Sequence, residues 1–165
     1  VWFGNHLWIP REDGLVSVLD PADGTSQTHF GELIELDDNS LSNVTPVVVV
    51  DDERLLVGSN DGSVAAYRSN LDQQWKYDGG TQVAAIDTVD SRIAVLDQRG
   101  QYTELDAETG ETYRSFLLAV RQRDDWCGFD PSSERFRGLA VMSRQSIVAT
   151  GQMFGTQFFR LPRRE

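Results

Sequence analysis

Apolar residues in this chain come in short runs, and each break between runs carries Asp, Asn, Gly or Ser. From residue 45 to residue 116 the arrangement is written twice. The first copy reads TPVVVV, DDE, RLLVGSNDGSVAAY and then NLDQQWKY; the second reads QVAAIDTVDS, RIAVLDQRGQYTELDAETGETYRSF. Runs of roughly 4–6 residues rich in Val, Ile, Leu and Tyr predict strands, and the polar breaks predict tight turns. Asn60-Asp61-Gly62 and Gln98-Arg99-Gly100 stand at the same place, between the second and third runs of each copy. Glycine suits that place because tight hairpin turns need a residue at positive φ. Period-two alternation then assigns Leu55, Val57, Val64 and Ala66 to a common core face, with Ile93, Val95 and Tyr102 as their counterparts in the next copy.

Weaker copies flank these two. Strands are expected at residues 1–3, 6–9, 15–20 and 25–30, with Arg11-Glu12-Asp13-Gly14 in the turn position and Pro10 ending a strand. A last copy runs through residues 136–143, 145–150 and 156–161 and lacks a fourth strand. The blade-like units are therefore about 1–30, 45–78, 81–117 and 138–161 in one domain spanning 1–165, interrupted by an inserted loop at 117–137. Four antiparallel strands repeated at about 40 residues are the pattern of propeller blades. The expected fold is all-β: a β-propeller of about four blades with four antiparallel strands each. Blades bury their faces only against neighbours, so the row closes as a small ring or forms part of a larger ring finished by another chain. The small ring is the expectation.

The repeats resemble the pyrroloquinoline-quinone-type propeller family. TPVVVV, RLLVGSNDGSVAAY and QQWKY carry the likeness in the first copy, and ELDAETGETYRSF carries it in the second, with Leu105-Asp106-Ala107-Glu108-Thr109-Gly110 matching the family's turn into the fourth strand. The family's docking tryptophan is matched by Trp75, while Arg114 and Thr28 stand at the corresponding places in the neighbouring blades. The likeness implies the fold. It also suggests quinone-dependent dehydrogenase chemistry, which in that family uses about eight blades, a tryptophan under the quinone, calcium ligands, an aspartate base and often two adjacent cysteines. This chain has half the blades and a single cysteine, Cys127, so the expectation is no cofactor, with a fragment of such an enzyme as the alternative.

Composition narrows the function classes. The net charge is −11, and Lys76 is the only lysine among 15 basic residues. That balance argues against a nucleic-acid partner, because phosphate binding needs clustered Lys and Arg. It resembles the acidic, lysine-poor surfaces of salt-adapted proteins, with an arginine-favouring, GC-rich genome as the alternative source of the pattern. One cysteine permits no internal disulfide, no run of 18 apolar residues offers a membrane span, and no signal-peptide pattern is present. The chain opens on Val1 inside an expected strand, the pattern of a processed or excised piece.

Candidate chemistry is sparse. His6 and His29 are far apart and make no zinc pair. Asp37-Asp38-Asn39-Ser40 lacks the spacing of a calcium loop and reads as a solvated turn, and Asn43-Val44-Thr45 is a sequon followed by Pro46. No nucleophile elbow or phosphate loop occurs. The loop at 117–137 carries Arg121, Arg123, Asp124, Trp126 and Phe129, residue types favoured at interface hot spots; these are the candidate partner-binding residues. The expectation is a non-enzymatic scaffold or protein-interaction module of an acidic, salt-adapted protein outside the cytoplasm. A component of a cell-surface or virion spike assembly is a second alternative.

Overall fold

The computed structural model describes residues 1–11, 15–29, 47–51, 53–118, 136–151 and 155–162. Every regular element among them is a strand. In chain order these are β1 (Trp2–Phe3), β2 (His6–Pro10), β3 (Val16–Leu19), β4 (Ser26–His29), β5 (Val47–Asp51), β6 (Arg54–Gly58), β7 (Ser63–Tyr67), β8 (Gln73–Asp78), β9 (Val83–Val89), β10 (Arg92–Asp97), β11 (Gln101–Asp106), β12 (Thr112–Leu117), β13 (Phe136–Ser143), β14 (Ser146–Gly151) and β15 (Gly155–Arg160). They form antiparallel meanders in sequence order: β1-β2-β3-β4, β5-β6-β7-β8, β9-β10-β11-β12 and the three-stranded β13-β14-β15. The chain divides into two compact units, Val1–Val83 and Ala84–Glu165. The first holds the sheets β1–β4 and β5–β8, and the second the sheets β10–β12 and β13–β15 with all of β9 but its first residue.

Each unit has its own core between two sheets. In the first, Trp8, Val16 and Val18 pack with Leu55, Val57, Ala65 and Tyr67. In the second, Ala94, Leu96 and Tyr102 pack with Ile147 and Ala149, closed by Leu118, Phe136 and Leu161. Trp8, Leu55, Tyr102 and Ile147 are fully buried, and side chains of this size contribute about 1.5–3 kcal/mol each when removed from water.

The expected core set proves to span two faces. All of its members are buried, but Leu55 pairs with Tyr67 and Val57 with Ala65. Val64 and Ala66 therefore lie on the opposite face from Leu55 and Val57. Likewise Leu96 pairs with Tyr102, which puts Tyr102 opposite to Ile93 and Val95. The cause is the turn. Ser59 N–H donates to Ser63 O at 2.8 Å, with Gly62 at φ 87° completing a three-residue loop. An odd loop pairs odd-numbered residues with odd, and Gly100 at φ 90° does the same between β10 and β11. Leu56 and Ala94 are buried as well, so both faces of these strands are core and alternation carries little information there.

Candidate functional site

Trp75 is buried on β8 and pairs with Ala66 one step before a bulge. In the next sheet the same bulge follows the pair Glu104 and Arg114. In the first sheet the residue opposite Val18 is Gln27 rather than Thr28, because β3–β4 pairs without that bulge and the count shifts by one.

Arg114 organises a polar seam in the second unit. Its Nη2 donates to Glu104 Oε1 in a short ion pair, and Tyr102 Oη donates to the same oxygen at 2.8 Å. The guanidinium also reaches the fourth sheet's flanks, from Nη1 to Pro162 O at 2.9 Å and from Nη2 to Arg144 O at 3.0 Å. Glu104 is 6 % exposed. Its hydrogen bond pushes the Arg114 pKa up. Burial first, and then the Glu104 contact, raise the Tyr102 phenol well above its ordinary range. Beside them Arg92 pairs with Asp106 at 3.1 Å and lies 3.7 Å above the Tyr113 ring, and Arg144 pairs with Asp90 at 2.9 Å. Asp87 Oδ2 accepts from Val141 N at 2.6 Å. Arg92, Glu104, Tyr113, Arg114, Arg144 and Pro162 line a groove of about 300 Å³. Each guanidinium in it has a carboxylate partner, so the groove is electrically balanced. Arg114 in it holds one sheet to the next by hydrogen bonds.

His6 lines a smaller cleft of about 60 Å³ with Val18, Asp20, Thr25, Gln27 and Leu71. Among the described residues no cluster of His, Cys, Asp and Glu is placed to hold a metal ion, and no helix is long and apolar enough to cross a membrane. Arg121, Arg123, Asp124, Trp126 and Phe129 lie outside the described residues, as do Asp37-Asp38-Asn39-Ser40 and the sequon. The ends of the inserted loop are described. Leu118 N donates to Gly100 O at 2.9 Å and Phe136 N to Gln98 O at 3.1 Å. Both side chains are buried, so the loop leaves and returns at one hairpin turn.

Two faces missed by sequence reasoning are open. On the first sheet Trp2 pairs with Leu7 and Leu7 with Leu19, so these side chains share a face with Ile9; Trp2 is 57 % exposed and Ile9 41 %. On the last sheet Ala140 and Phe158 both pair with Val148, and Phe158 and Met142 are each 64 % exposed. Strand alternation alone could have found them, had the turn parity been known.

No family model matches the chain, and no curated protein does. Solved structures do. The chain resembles the computationally designed Ika4 protein at a TM-score of 0.62 and 16% identity, covering 98% of this chain and 88% of that one. It resembles BamB from Moraxella catarrhalis at a TM-score of 0.55 and 18% identity, covering 90% of this chain and 44% of that one. A chain of the Mitotic Checkpoint Complex matches at a TM-score of 0.62 and 13% identity, over 97% of this chain and 46% of that one. The neighbours are β-propellers, and the four sheets of this chain have the strand order of propeller blades. The fold is all-β, of the β-propeller class.

Proposed function

We propose that this chain is a non-enzymatic β-propeller scaffold that binds protein, with blades of the pyrroloquinoline-quinone type, in an acidic, salt-adapted protein outside the cytoplasm. The observation that carries the reading is the exposure of Trp2 and Phe158, at 57 % and 64 %, on sheet faces whose equivalents elsewhere in the chain are core. Large aromatic side chains gathered with Ile9 and Met142 on open faces are the composition of an interface centre. One of the structural neighbours is a chain of the Mitotic Checkpoint Complex, a protein assembly by its name. The inserted loop is the second contact region. Its ends are fixed on one turn, and its sequence carries Arg121, Arg123 and Asp124, charges of both signs, beside Trp126 and Phe129.

The test is Trp126→Ala, with Arg121→Ala as the milder companion. Complexes isolated from the native source in molar salt are analysed by sedimentation, beside thermal melts of the purified chain. The expected result is a smaller complex at an unchanged melt. A sharply lowered melt with the complex intact would make Trp126 a staple of the fold and remove the loop from the interface.

A further inference from the structure

We propose that the groove beside Arg114 binds a neutral, hydroxyl-rich ligand, a saccharide. The inference is independent of the interaction-module reading and adds a second kind of ligand to it.

All of the groove's lining belongs to the second compact unit. Arg92 opens β10, Glu104 stands on β11 and Tyr113 on β12, and Arg144 and Gln145 form the turn from β13 to β14. At about 300 Å³ the groove lies at the lower end of ligand pockets, suited to a small molecule or the end unit of a chain.

The hydrogen-bonding groups left over define what fits. Arg92 gives Nη1 to Asp106, and Arg144 gives Nε to Asp90. Among the described residues no acceptor meets Nη2 of Arg92 or either terminal nitrogen of Arg144. On the acceptor side, Arg114 and Tyr102 both donate to Oε1 of Glu104, and no donor among the described residues meets Oε2. Glu104 is 6 % exposed and lines the groove. Its Oε2 is not one of the sealed polar atoms that lack a partner, so the groove reaches it. An acceptor on a nearly buried carboxylate is costly to leave unbonded. The ligand must therefore donate as well as accept, and the exposed amide of Gln145 offers both functions in return.

Charge removes the ionic classes. An anion would find Arg92 and Arg144 already held by carboxylates, in a chain of net charge −11, and would bring no donor to Glu104. A cation would meet three guanidinium groups. A hydroxyl carries one donor and two acceptor lone pairs on a single atom, so one sugar hydroxyl can accept from a guanidinium and donate to a carboxylate. Neighbouring hydroxyls also match the fixed fork of N–H groups on a guanidinium edge. A peptide unit splits donor and acceptor between two atoms and serves one side of the groove at a time. Tyr113 and Pro162 supply a less polar wall for the C–H face of a sugar ring.

Saturation-transfer NMR on the purified chain in molar potassium chloride tests glucose, galactose, mannose and N-acetylglucosamine singly. Acetate and N-acetylglycine N-methylamide are the anion and peptide probes. The expected result is saturable, millimolar binding of at least one saccharide and none of acetate or the amide. Arg144→Ala should weaken it about tenfold, the scale of one hydrogen bond to a charged group, and Gln145→Ala by a smaller factor. Both side chains are exposed, so thermal melts should stay close to the parent's. Arg99→Ala, on the exposed turn at the other end of β10, should bind as the parent does. Failure of all four saccharides to saturate, binding that survives both groove variants, or an equal loss at Arg99 would each overturn the proposal. So would acetate or the amide binding more tightly than any sugar, which would make the groove an anion or a peptide site. The interaction-module reading is tested separately at Trp126 and does not depend on these results.

Discussion

Glu104 and Arg114 occupy the register that Ala66 and Trp75 fill one blade earlier, so the same strand positions carry an ion pair in one blade and an indole in the other. The two solutions fail differently. Removing one member of a buried ion pair strands the other, at about 3–5 kcal/mol, whereas replacing the pair by well-packed apolar groups is often neutral or stabilising. Arg114→Ala should therefore lower the urea midpoint sharply, because Glu104 keeps only the Tyr102 hydroxyl, and the bonds to Pro162 O and Arg144 O are lost as well. Glu104→Ala with Arg114→Trp, which copies the preceding blade, should recover to within about 1–2 kcal/mol of the parent. If Arg114→Ala alone leaves the midpoint unmoved, the seam contributes nothing to the fold. A second test at this scale concerns Asp97. Burial raises its carboxyl above the ordinary value of 3.8, against the amides of Gln101 and Arg99 that lower it. The folded state thus binds that proton more readily than the unfolded state, and stability from this group falls as pH rises from 3.8 upward. Asp97→Asn keeps an acceptor oxygen without the charge. Thermal melts should find it more stable than the parent at neutral pH, with the gap closing as pH falls through the carboxylate range. An equal gap at both ends would show that the buried charge is not the cause.

At the scale of the element, the hairpin turns decide which residues are core. Gly62 has φ 87°, and a Cβ there would stand 2.3 Å from Thr81 N and 2.5 Å from Thr81 O. Backbone atoms cannot swing aside as a side chain can. Gly62→Ala should cost more than about 3 kcal/mol, combining left-handed strain with overpacking. Gly80 has φ 84° with nothing within 4 Å, so Gly80→Ala should cost only the strain, about 1–2 kcal/mol. Equal losses for the two, measured by chemical denaturation, would put the whole effect in the dihedral. The same turns explain what was legible beforehand. Strand positions were readable because Val, Ile and Leu runs between Gly and Asp breaks have few other fates, and Trp75 was readable from its likeness to a repeat. The faces were not, since the number of residues in a turn sets parity and one residue inverts every assignment. Nor was the Arg114 seam recognisable as a site, because Arg144 and Pro162, which complete it, are distant in sequence and chemically ordinary. The open faces escaped notice for a related reason: Ile9 and Val57 look alike until a neighbouring sheet covers one of them.

For the whole molecule the governing quantity is the net charge of −11 carried with one lysine. Like charges spread over a small surface destabilise the compact state, and molar salt shortens the screening length to about 3 Å. Salt also weakens favourable surface pairs, so the sign depends on how much those pairs contribute. Lys76–Asp78, with side chains 45 % and 80 % exposed, and Arg144–Asp90, at 76 % and 56 %, are of the exposed kind, each worth about 0–1 kcal/mol. Arg114–Glu104, at 18 % and 8 %, is sheltered from mobile ions. Relief of repulsion therefore exceeds the loss, and the melting midpoint should climb from low to molar potassium chloride. Chloride is the right anion, since sulfate strengthens apolar burial in any protein. A flat or falling midpoint removes the salt-adapted reading.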